Sequence, residues 1–310
     1  MKLIGSNNSN EITATATAEI EEIIDLFLRS TDVKPSSRAT YARQLRSFTQ
    51  WLSASGKTSS LTTADLLEYK QHLLDSGKSV LTTAGYITTL RLLCGWLSAK
   101  TGTADISKGV KLPHRRQTFV KQHLTADQAR ALEAAVTTPR DIAIVTLMLH
   151  TGLRCIEVVR ANVEDLTYRG GRRVLMVQGK GHDAKDDFVI ISPKVGEALD
   201  AYLDSRNAKK GEPLFASESH RNNGGRLTTT MIGLIVKRAL RAIGLRGHEY
   251  SAHSLRHTTA VAILTKTNDL TAAQEVLRHS NIATTQIYTE SIKEQRRLER
   301  AAELQLDEIF

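Results

Sequence analysis

Five short stretches of the sequence place a cation, a proton carrier or a nucleophile beside a helix break, a turn or a helix start. They are Thr151–Arg154, Gly179–Gly181, His253–His257, Leu277–His279 and Tyr288. Together their guanidinium, ammonium, imidazole and phenol groups could hold a phosphate, move protons and supply a nucleophile. No one stretch is sufficient to predict such chemistry.

Taken singly, each stretch has an ordinary structural explanation. Arg154 could be a surface residue that pairs with Glu157 at i+3, and Lys180 a solvated hairpin lysine. The histidines of His253–His257 could lie on a helix surface or bind zinc, but no HExxH motif and no third ligand accompany them. Tyr288 alone would be a packing residue. The prediction therefore depends on the presence of all five stretches in one chain.

The elements that must position these residues follow from hydrophobic periodicity. Residues 1–17, rich in Ser, Asn, Thr and Ala, predict a flexible leader, and residues 18–103 predict four helices with short connections. Residues 104–122 predict a basic linker, whose charges either track a DNA backbone or are merely solvated. Residues 123–310 then form a second domain.

The second domain is predicted to combine helices with a small sheet. A capped helix begins at Thr125, and an apolar helix over 142–149 ends at Gly152. Residues 174–177 and 188–191 predict a hairpin with Lys180 near its tip. Further helices are expected at 194–206, 229–243, 254–264 and 272–277, and from 292 onward. The predicted fold class is mainly α with a small antiparallel β-sheet, in two domains.

In order and spacing these residues resemble the tyrosine recombinase and integrase family, which includes phage integrases and Xer-like site-specific recombinases. The segment T-G-L-R-C-I-E ends at Glu157, His253 and Arg256 form an H-x-x-R pair, and L-R-H-S-N-I-A-T-T-Q-I-Y-T covers residues 277–289. The resemblance is close over residues 121–310. It implies that the four-helix domain is a core-binding domain, that the second domain is catalytic, and that the two form a clamp around DNA.

The resemblance also implies a role for each matching side chain. Two guanidiniums would hold the non-bridging oxygens of the phosphate, and His279 would hydrogen-bond the phosphate or orient the tyrosine. Tyr288, with an ordinary pKa near 10, would attack phosphorus while His253 accepts its proton. Lys180 would protonate the leaving oxygen, and Glu157 would support the site. The implied catalytic residues are Arg154, Lys180, His253, Arg256, His279 and Tyr288.

Two departures from the family pattern leave alternatives open. After Gly181 the chain continues H-D-A-K-D-D, so either Lys180 or Lys185 is the general acid. The residue before the late histidine is commonly Gly in the family, and here it is Arg278. A positive φ at this position would mildly strain an arginine; otherwise its side chain adds a phosphate contact.

The predicted function is site-specific recombination of DNA through a 3′-phosphotyrosyl intermediate and a Holliday junction, for integration, excision or resolution. The expected assembly is a homotetramer on two double-stranded core sites, with no metal and no cofactor, and the need for accessory proteins is left open. The C-terminal helix docks either on its own domain or on a neighbouring protomer. Alternatives are a type IB topoisomerase and a non-catalytic DNA-binding regulator.

Composition agrees with a DNA partner. The formal net charge is +9, and residues 31–120 carry 13 Lys and Arg against 5 Asp and Glu, which favours binding to phosphates. Two cysteines without a CxxC pair and no secretory pattern predict a cytoplasmic protein, and no membrane role is indicated. The predicted DNA-binding residues are Arg38, Arg43, Arg115, Arg116 and Arg278.

Overall fold

In the computed structural model, two units divide the chain at Gln117, Met1–Gln117 and Thr118–Phe310. The structure describes residues 9–57, 61–114, 122–179 and 183–278. Each unit contains its own cluster of buried apolar side chains. The predicted two-domain, mainly α class with a small antiparallel sheet is confirmed.

The described part of the first unit contains four helices, and sequence signals explain where three of them begin. Pro35 occupies the first turn of its helix, where no backbone N–H is needed. Thr62 and Asp65 form a capping box, and Ser79 caps the last helix through the N–H of Thr82. The helices are α1 Ser9–Ser30, α2 Pro35–Ala54, α3 Thr63–Asp75 and α4 Val80–Thr101.

Aromatic side chains form the centre of the first unit. The rings of Phe48 and Tyr69 meet edge to face at 4.9 Å between centroids, and the ring of Trp51 lies 5.2 Å from that of Tyr69. Burial raises the pKa of Tyr69 to about 12, so the phenol stays neutral at every physiological pH. These contacts hold α2 against α3.

Two predicted boundaries are wrong. Helix α1 begins at Ser9, not at 18, because the Thr-Ala repeat and Glu residues of this stretch have adequate helix propensity without an apolar stripe. Residues 105–111, predicted as linker, pack on the first unit: Val110 is buried, and Thr63 Oγ1 donates to the Ile106 carbonyl (2.8 Å). Isolated apolar anchors in a non-helical stretch produce no periodic pattern.

By length and composition, the α4 helix Val80–Thr101 could cross a membrane, and within the described residues it alone passes that test. One such helix is weak support for a membrane span. Ile87, Leu90 and Leu93 of this helix are buried in the core of the first unit, which is where the core helix of a bundle is expected to place them.

The second unit combines seven helices with three strands among its described residues. The helices are α5 Ala126–Ala134, α6 Pro139–Thr151, α7 Cys155–Arg160, α8 Pro193–Ser205, α9 Thr229–Ala242, α10 Ala252–Thr267 and α11 Leu270–Leu277. The strands are β1 Leu166–Arg169, β2 Arg172–Val177 and β3 Asp187–Ile190.

The three strands form an antiparallel sheet in the order β1-β2-β3. Gly170 and Gly171 connect β1 to β2, and both have positive φ, as a two-residue hairpin turn requires. In the β2–β3 pair, Leu175 lies opposite Val189, and both are buried. One face of the sheet thus joins the core, whose centre is the apolar helix α6. Lys180, the predicted hairpin lysine, belongs to the connection from β2 to β3.

Candidate active site

The break after α6 is created by Gly152. This residue caps the helix in the left-handed conformation, with φ +63°, and a Cβ at this position would lie 2.8 Å from Leu277 Cδ2. Glycine is therefore required both for its conformation and for the close approach of α11. The break turns the chain so that α7 starts with Arg154 as its N-cap residue.

Arg154 and Glu157 form a pair at the start of α7. Arg154 Nη1 donates to Glu157 Oε1 (2.8 Å), and the Arg154 backbone N–H donates to Glu157 Oε2 (2.8 Å). The Glu157 side chain is fully buried, while a quarter of the Arg154 side chain is exposed. The i+3 pairing expected from spacing is present, and the carboxylate lies in the interior rather than on a helix surface.

Arg256 links the ends of two other helices. Its helix α10 is capped by Ser251, and its side chain is 2% exposed. Nη1 donates to the Gly152 carbonyl and Nη2 to the Leu277 carbonyl. The guanidinium thus satisfies main-chain acceptors at the C-terminal ends of α6 and α11, which have no partner inside their own helices.

Arg278 ends α11 in the left-handed conformation, with φ +53°, so the open question about this position is answered in favour of a positive φ. Its side chain is 8% exposed. Nη2 donates to Glu157 Oε2 (2.9 Å), and Nη1 donates to the Val276 carbonyl (2.8 Å). Its predicted contact with DNA stays a prediction.

Glu157 is the carboxylate that these arginines share. Burial on its own would raise the pKa of Glu157, but Arg278, the backbone N–H and guanidinium of Arg154, and then Arg256 hold the pKa below its ordinary value. The carboxylate is therefore ionised at neutral pH. An ionised, buried Glu157 provides a fixed negative centre around which the arginines are oriented.

His253 and His257 lie one turn apart on α10 with different exposure. The His253 side chain is exposed and His257 is buried, and their rings meet edge to face at 5.5 Å between centroids. Within the described residues, no group of three or more His, Cys, Asp and Glu side chains is placed to hold a metal. The exposed imidazole of His253 is accessible to a substrate proton.

Three predicted catalytic residues, Lys180, His279 and Tyr288, lie outside the described residues. The chain is described as far as Gly179 and again from Asp183. Arg160 Nη1 donates to the Gly179 carbonyl (3.2 Å), which ties the end of β2 to α7. The alternative acid, Lys185, forms an ion pair with Asp165, a residue that is buried.

Of the predicted DNA-binding residues, Arg38 and Arg43 are exposed on α2, and Arg38 Nη2 donates to the Thr31 carbonyl (3.1 Å). Arg115 and Arg116 lie outside the described residues. The exposed position of the first two leaves them available to a phosphate backbone, and their role stays a prediction.

The structure brings together Arg154, Glu157, Arg256 and Arg278, which are distant in sequence. Sequence reasoning did not identify Asp187, whose Oδ2 lies 3.8 Å from Arg278 Nε, nor the Gly152 carbonyl as a partner of Arg256. The glycine before Arg154 was a usable signal for the break, whereas no sequence pattern indicates the Asp187 contact.

Comparison with known proteins identifies the family of the chain. The sequence matches the phage integrase family over residues 122–295, more than half of the chain. Tyrosine recombinase XerD of Xanthomonas axonopodis pv. citri is 32% identical over 289 residues, covering 87% of this chain and 92% of the relative. XerD of Agrobacterium fabrum is 28% identical over 304 residues, covering 89% and 91%.

Solved structures show the same fold. The XerH site-specific recombinase bound to palindromic difH substrate aligns with a TM-score of 0.72 at 21% identity, covering 92% of this chain and 84% of that one. A lambda integrase tetramer bound to a Holliday junction aligns at 0.68 and 18% identity, covering 86% and 76%. The chain therefore belongs to the phage integrase family of tyrosine recombinases, and it is an enzyme of that class.

Proposed function

We propose that this enzyme recombines DNA at specific sites, cleaving and rejoining each strand through a 3′-phosphotyrosyl bond to Tyr288. The observation that carries the proposal is the convergence of Arg154 and Arg256 around Glu157, where the ends of α6 and α11 meet the start of α7. Two oriented guanidiniums meet the main requirement of attack on a phosphodiester, which is stabilisation of negative charge on the non-bridging oxygens.

Arg256 can serve a phosphate while it keeps its main-chain contacts. Each of its terminal nitrogens carries two hydrogens, and one from each is used by the carbonyls of Gly152 and Leu277. A guanidinium has five N–H donors, so it can serve a phosphate oxygen in addition to main-chain acceptors. The two carbonyls fix the orientation of the guanidinium.

In the cleavage step the phenolic oxygen of Tyr288 forms a bond to phosphorus as the bond to the 5′-oxygen of the next nucleotide breaks. His253 accepts the phenolic proton, and the leaving oxygen receives a proton from the general acid. Rejoining reverses these transfers when a 5′-hydroxyl attacks the phosphotyrosine. The covalent bond conserves the energy of the original phosphodiester, so no ATP is consumed.

We assign the general acid to Lys180 rather than Lys185. The ammonium of Lys185 is already held by the buried carboxylate of Asp165, an interaction it would have to break to reach a leaving group. A duplex with a bridging 5′-sulfur tests the assignment, because a thiolate leaves without protonation. Lys180→Ala should cleave this duplex at close to the wild-type rate and the unmodified oxygen duplex far more slowly than the wild type. Lys185→Ala should cleave both duplexes at rates similar to the wild type. The reverse pattern would identify Lys185 as the general acid.

The working assembly we propose is a homotetramer that joins two core sites and exchanges strands through a Holliday junction. The chain would act on DNA in the cytoplasm, with its two units closing around the duplex. The solved lambda integrase tetramer on a Holliday junction, which shares the fold, supports this assembly. A chain truncated after Ser291 tests whether the predicted C-terminal helix contributes: recombination at the full rate would exclude docking of that segment on a neighbouring protomer.

Covalent capture tests the function and finds the target together. Nicked genomic fragments from the source organism are incubated with the protein, treated with detergent and filtered, so that only protein-linked DNA is retained. A nick beside the cleavage site lets the short strand carrying the 5′-hydroxyl diffuse away and traps the intermediate. We expect one short site to be enriched, and Tyr288→Phe to retain none.

The alternatives give different results. An absence of adduct on every fragment, with retained DNA binding, would identify a non-catalytic regulator. Relaxation of any supercoiled plasmid, without product from paired copies of a site, would identify a topoisomerase. A synthetic duplex of the captured sequence provides the substrate for all further kinetic measurements.

A further inference from the structure

Arg278 has an unusual backbone conformation for its residue type. Within the described ranges, three non-glycine residues have positive φ, and the other two, Asn207 and Asn268, are asparagines, which tolerate this region better than arginine does. A bulky residue keeps such a conformation where surrounding contacts determine it. The contacts of the Arg278 side chain hold the residue in this conformation.

The Arg278 guanidinium joins three elements. It donates to Glu157 Oε2 at the start of α7 (2.9 Å) and to the Val276 carbonyl at the end of α11 (2.8 Å). Its Nε lies 3.8 Å from Asp187 Oδ2, at the beginning of β3. Asp187 follows the connection that contains Lys180, and His279 directly follows Arg278. The guanidinium therefore joins the start of α7, the end of α11 and the start of β3.

Arg278 affects the orientation of Arg154 because both residues bind the carboxylate of Glu157. Oε1 accepts one bond from the Arg154 guanidinium, while Oε2 accepts from the Arg154 backbone N–H and from Arg278. With Oε2 held on both sides, the carboxylate is fixed in rotation and binds the Arg154 guanidinium through Nη1. The partly exposed guanidinium is thereby held in one orientation at the start of α7.

We propose that Arg278 is a positioning residue: through Glu157 it fixes the Arg154 guanidinium, and through Asp187 it fixes the start of β3, in the geometry that cleavage requires. This inference rests on the proposed function. Because the side chain is 8% exposed and the guanidinium is bonded to Glu157, this role requires no contact between Arg278 and DNA.

The test uses Arg278→Gly with the captured duplex. Glycine removes the guanidinium and relieves the positive φ, so the fold should be retained. Single-turnover formation of the Tyr288 adduct should slow by about 10- to 100-fold, since small displacements of a catalytic group have effects of this size. DNA affinity and its salt dependence should not change, because no phosphate contact is lost. Asn268→Gly, the same backbone change at the end of α10, should cleave at the wild-type rate.

Two further readouts separate positioning from general damage. A methylphosphonate at the cleaved position removes a negative charge that Arg154 would stabilise. The ratio of the wild-type cleavage rate to the rate of Arg278→Gly should therefore be smaller on this duplex. A partly unfolded enzyme would show the same ratio on both duplexes. Glu157→Gln and Arg278→Gln should also combine non-additively, because each disrupts the same contact. Wild-type cleavage by Arg278→Gly, additive effects, or a loss of DNA affinity accompanied by a shallower salt dependence would each overturn the inference.

Amide hydrogen exchange tests the contacts of Arg278 with Glu157 and Asp187 in the absence of DNA. Amide hydrogen exchange of Arg278→Gly should increase in α7 and at the start of β3 as well as at the end of α11, and Asn268→Gly should leave α7 and β3 unchanged. Increased exchange confined to α11 would show that Arg278 does not hold α7 and β3 in place, and would overturn the inference. If the wild-type protein forms no Tyr288-dependent adduct, the proposed function fails while this result still stands or falls by itself.

Discussion

Replacing Gly152 with alanine should damage both the stability and the catalysis of the second unit. Two effects contribute. The residue has φ +63°, and an L-residue in this region costs about 1–2 kcal/mol. The added Cβ would also lie 2.8 Å from Leu277 Cδ2, and forcing an extra methyl into a packed interior costs about 1–3 kcal/mol. We expect Gly152→Ala to lower the free energy of unfolding by about 2–5 kcal/mol.

A matched control isolates the steric part. Gly244 also has positive φ and belongs to the same unit, but a Cβ there would meet nothing within 4 Å. Gly244→Ala should therefore lose only the conformational part, about 1–2 kcal/mol. The difference between the two variants measures the contact with Leu277.

Calorimetry with parallel tryptophan fluorescence provides the assay. Both tryptophans, Trp51 and Trp96, lie in the first unit, so fluorescence follows that unit alone, and the calorimetric transition that does not coincide with it belongs to the second unit. Each kcal/mol should shift that transition by about 2–4 °C in a unit of this size. Equal destabilisation by Gly152→Ala and Gly244→Ala would refute the reasoning about the close contact.

Gly152→Ala should also slow cleavage more than its loss of stability explains. The Gly152 carbonyl accepts a hydrogen bond from Arg256, so a shift that relieves the clash with Leu277 also moves this acceptor. Adduct formation at a temperature where the variant is fully folded should fall by about 10-fold or more. Full activity of the folded variant would show that the position of the carbonyl is unimportant for Arg256.

Three further predictions concern stability. Asp65→Asn should lower the free energy of unfolding of the first unit by about 1 kcal/mol in urea titrations followed by fluorescence. The pKa of Asp65 is lowered to about 2, chiefly by the hydrogen bond from Lys57, so the advantage of the wild type is present above pH about 4 and is lost as pH falls toward 2. Arg226→Ala should destabilise the second unit by about 2–4 kcal/mol, because its guanidinium serves three acceptors at the end of α7, while exposed Arg221→Ala should stay within about 0.5 kcal/mol by calorimetry. Gly170→Asn should keep the melting temperature because asparagine suits this turn, and Gly170→Val should lower it.

The long elements could be predicted because their patterns are local. Helix α2 follows its proline, and α6 ends at its glycine, as expected from the sequence. Helix α7 has only 6 residues, too few to display a period. Strand β1 has only 4 residues, of which Tyr168 is exposed, so it lacks an apolar run. Short elements depend on tertiary contacts that no local pattern reveals.

The same distinction applies to the candidate site. The Arg154–Glu157 pair is separated by three residues, so spacing alone predicts it. The Arg278–Glu157 bond joins residues 121 positions apart, and the left-handed conformation of Arg278 contradicts the usual preference of arginine. Both features depend on the fold bringing the end of α11 within hydrogen-bond distance of Glu157 in α7. The family pattern indicated that the position was unusual, but only the structure shows which partner occupies the side chain.

The charges at the site indicate what Glu157 contributes to the reaction. Three guanidiniums, those of Arg278, Arg154 and Arg256, influence Glu157, and Asp187 lies beside Arg278, so three positive charges meet two negative ones. The remaining positive charge suits a phosphodiester, and the pentavalent transition state places further negative charge on the oxygens that the arginines would hold. A neutral glutamine at position 157 would add one net positive charge and would remove the ionised carboxylate that orients Arg154, so we expect Glu157→Gln to bind DNA at least as tightly as the wild type while cleaving it more slowly. Weaker binding together with unchanged cleavage of bound DNA would contradict this account.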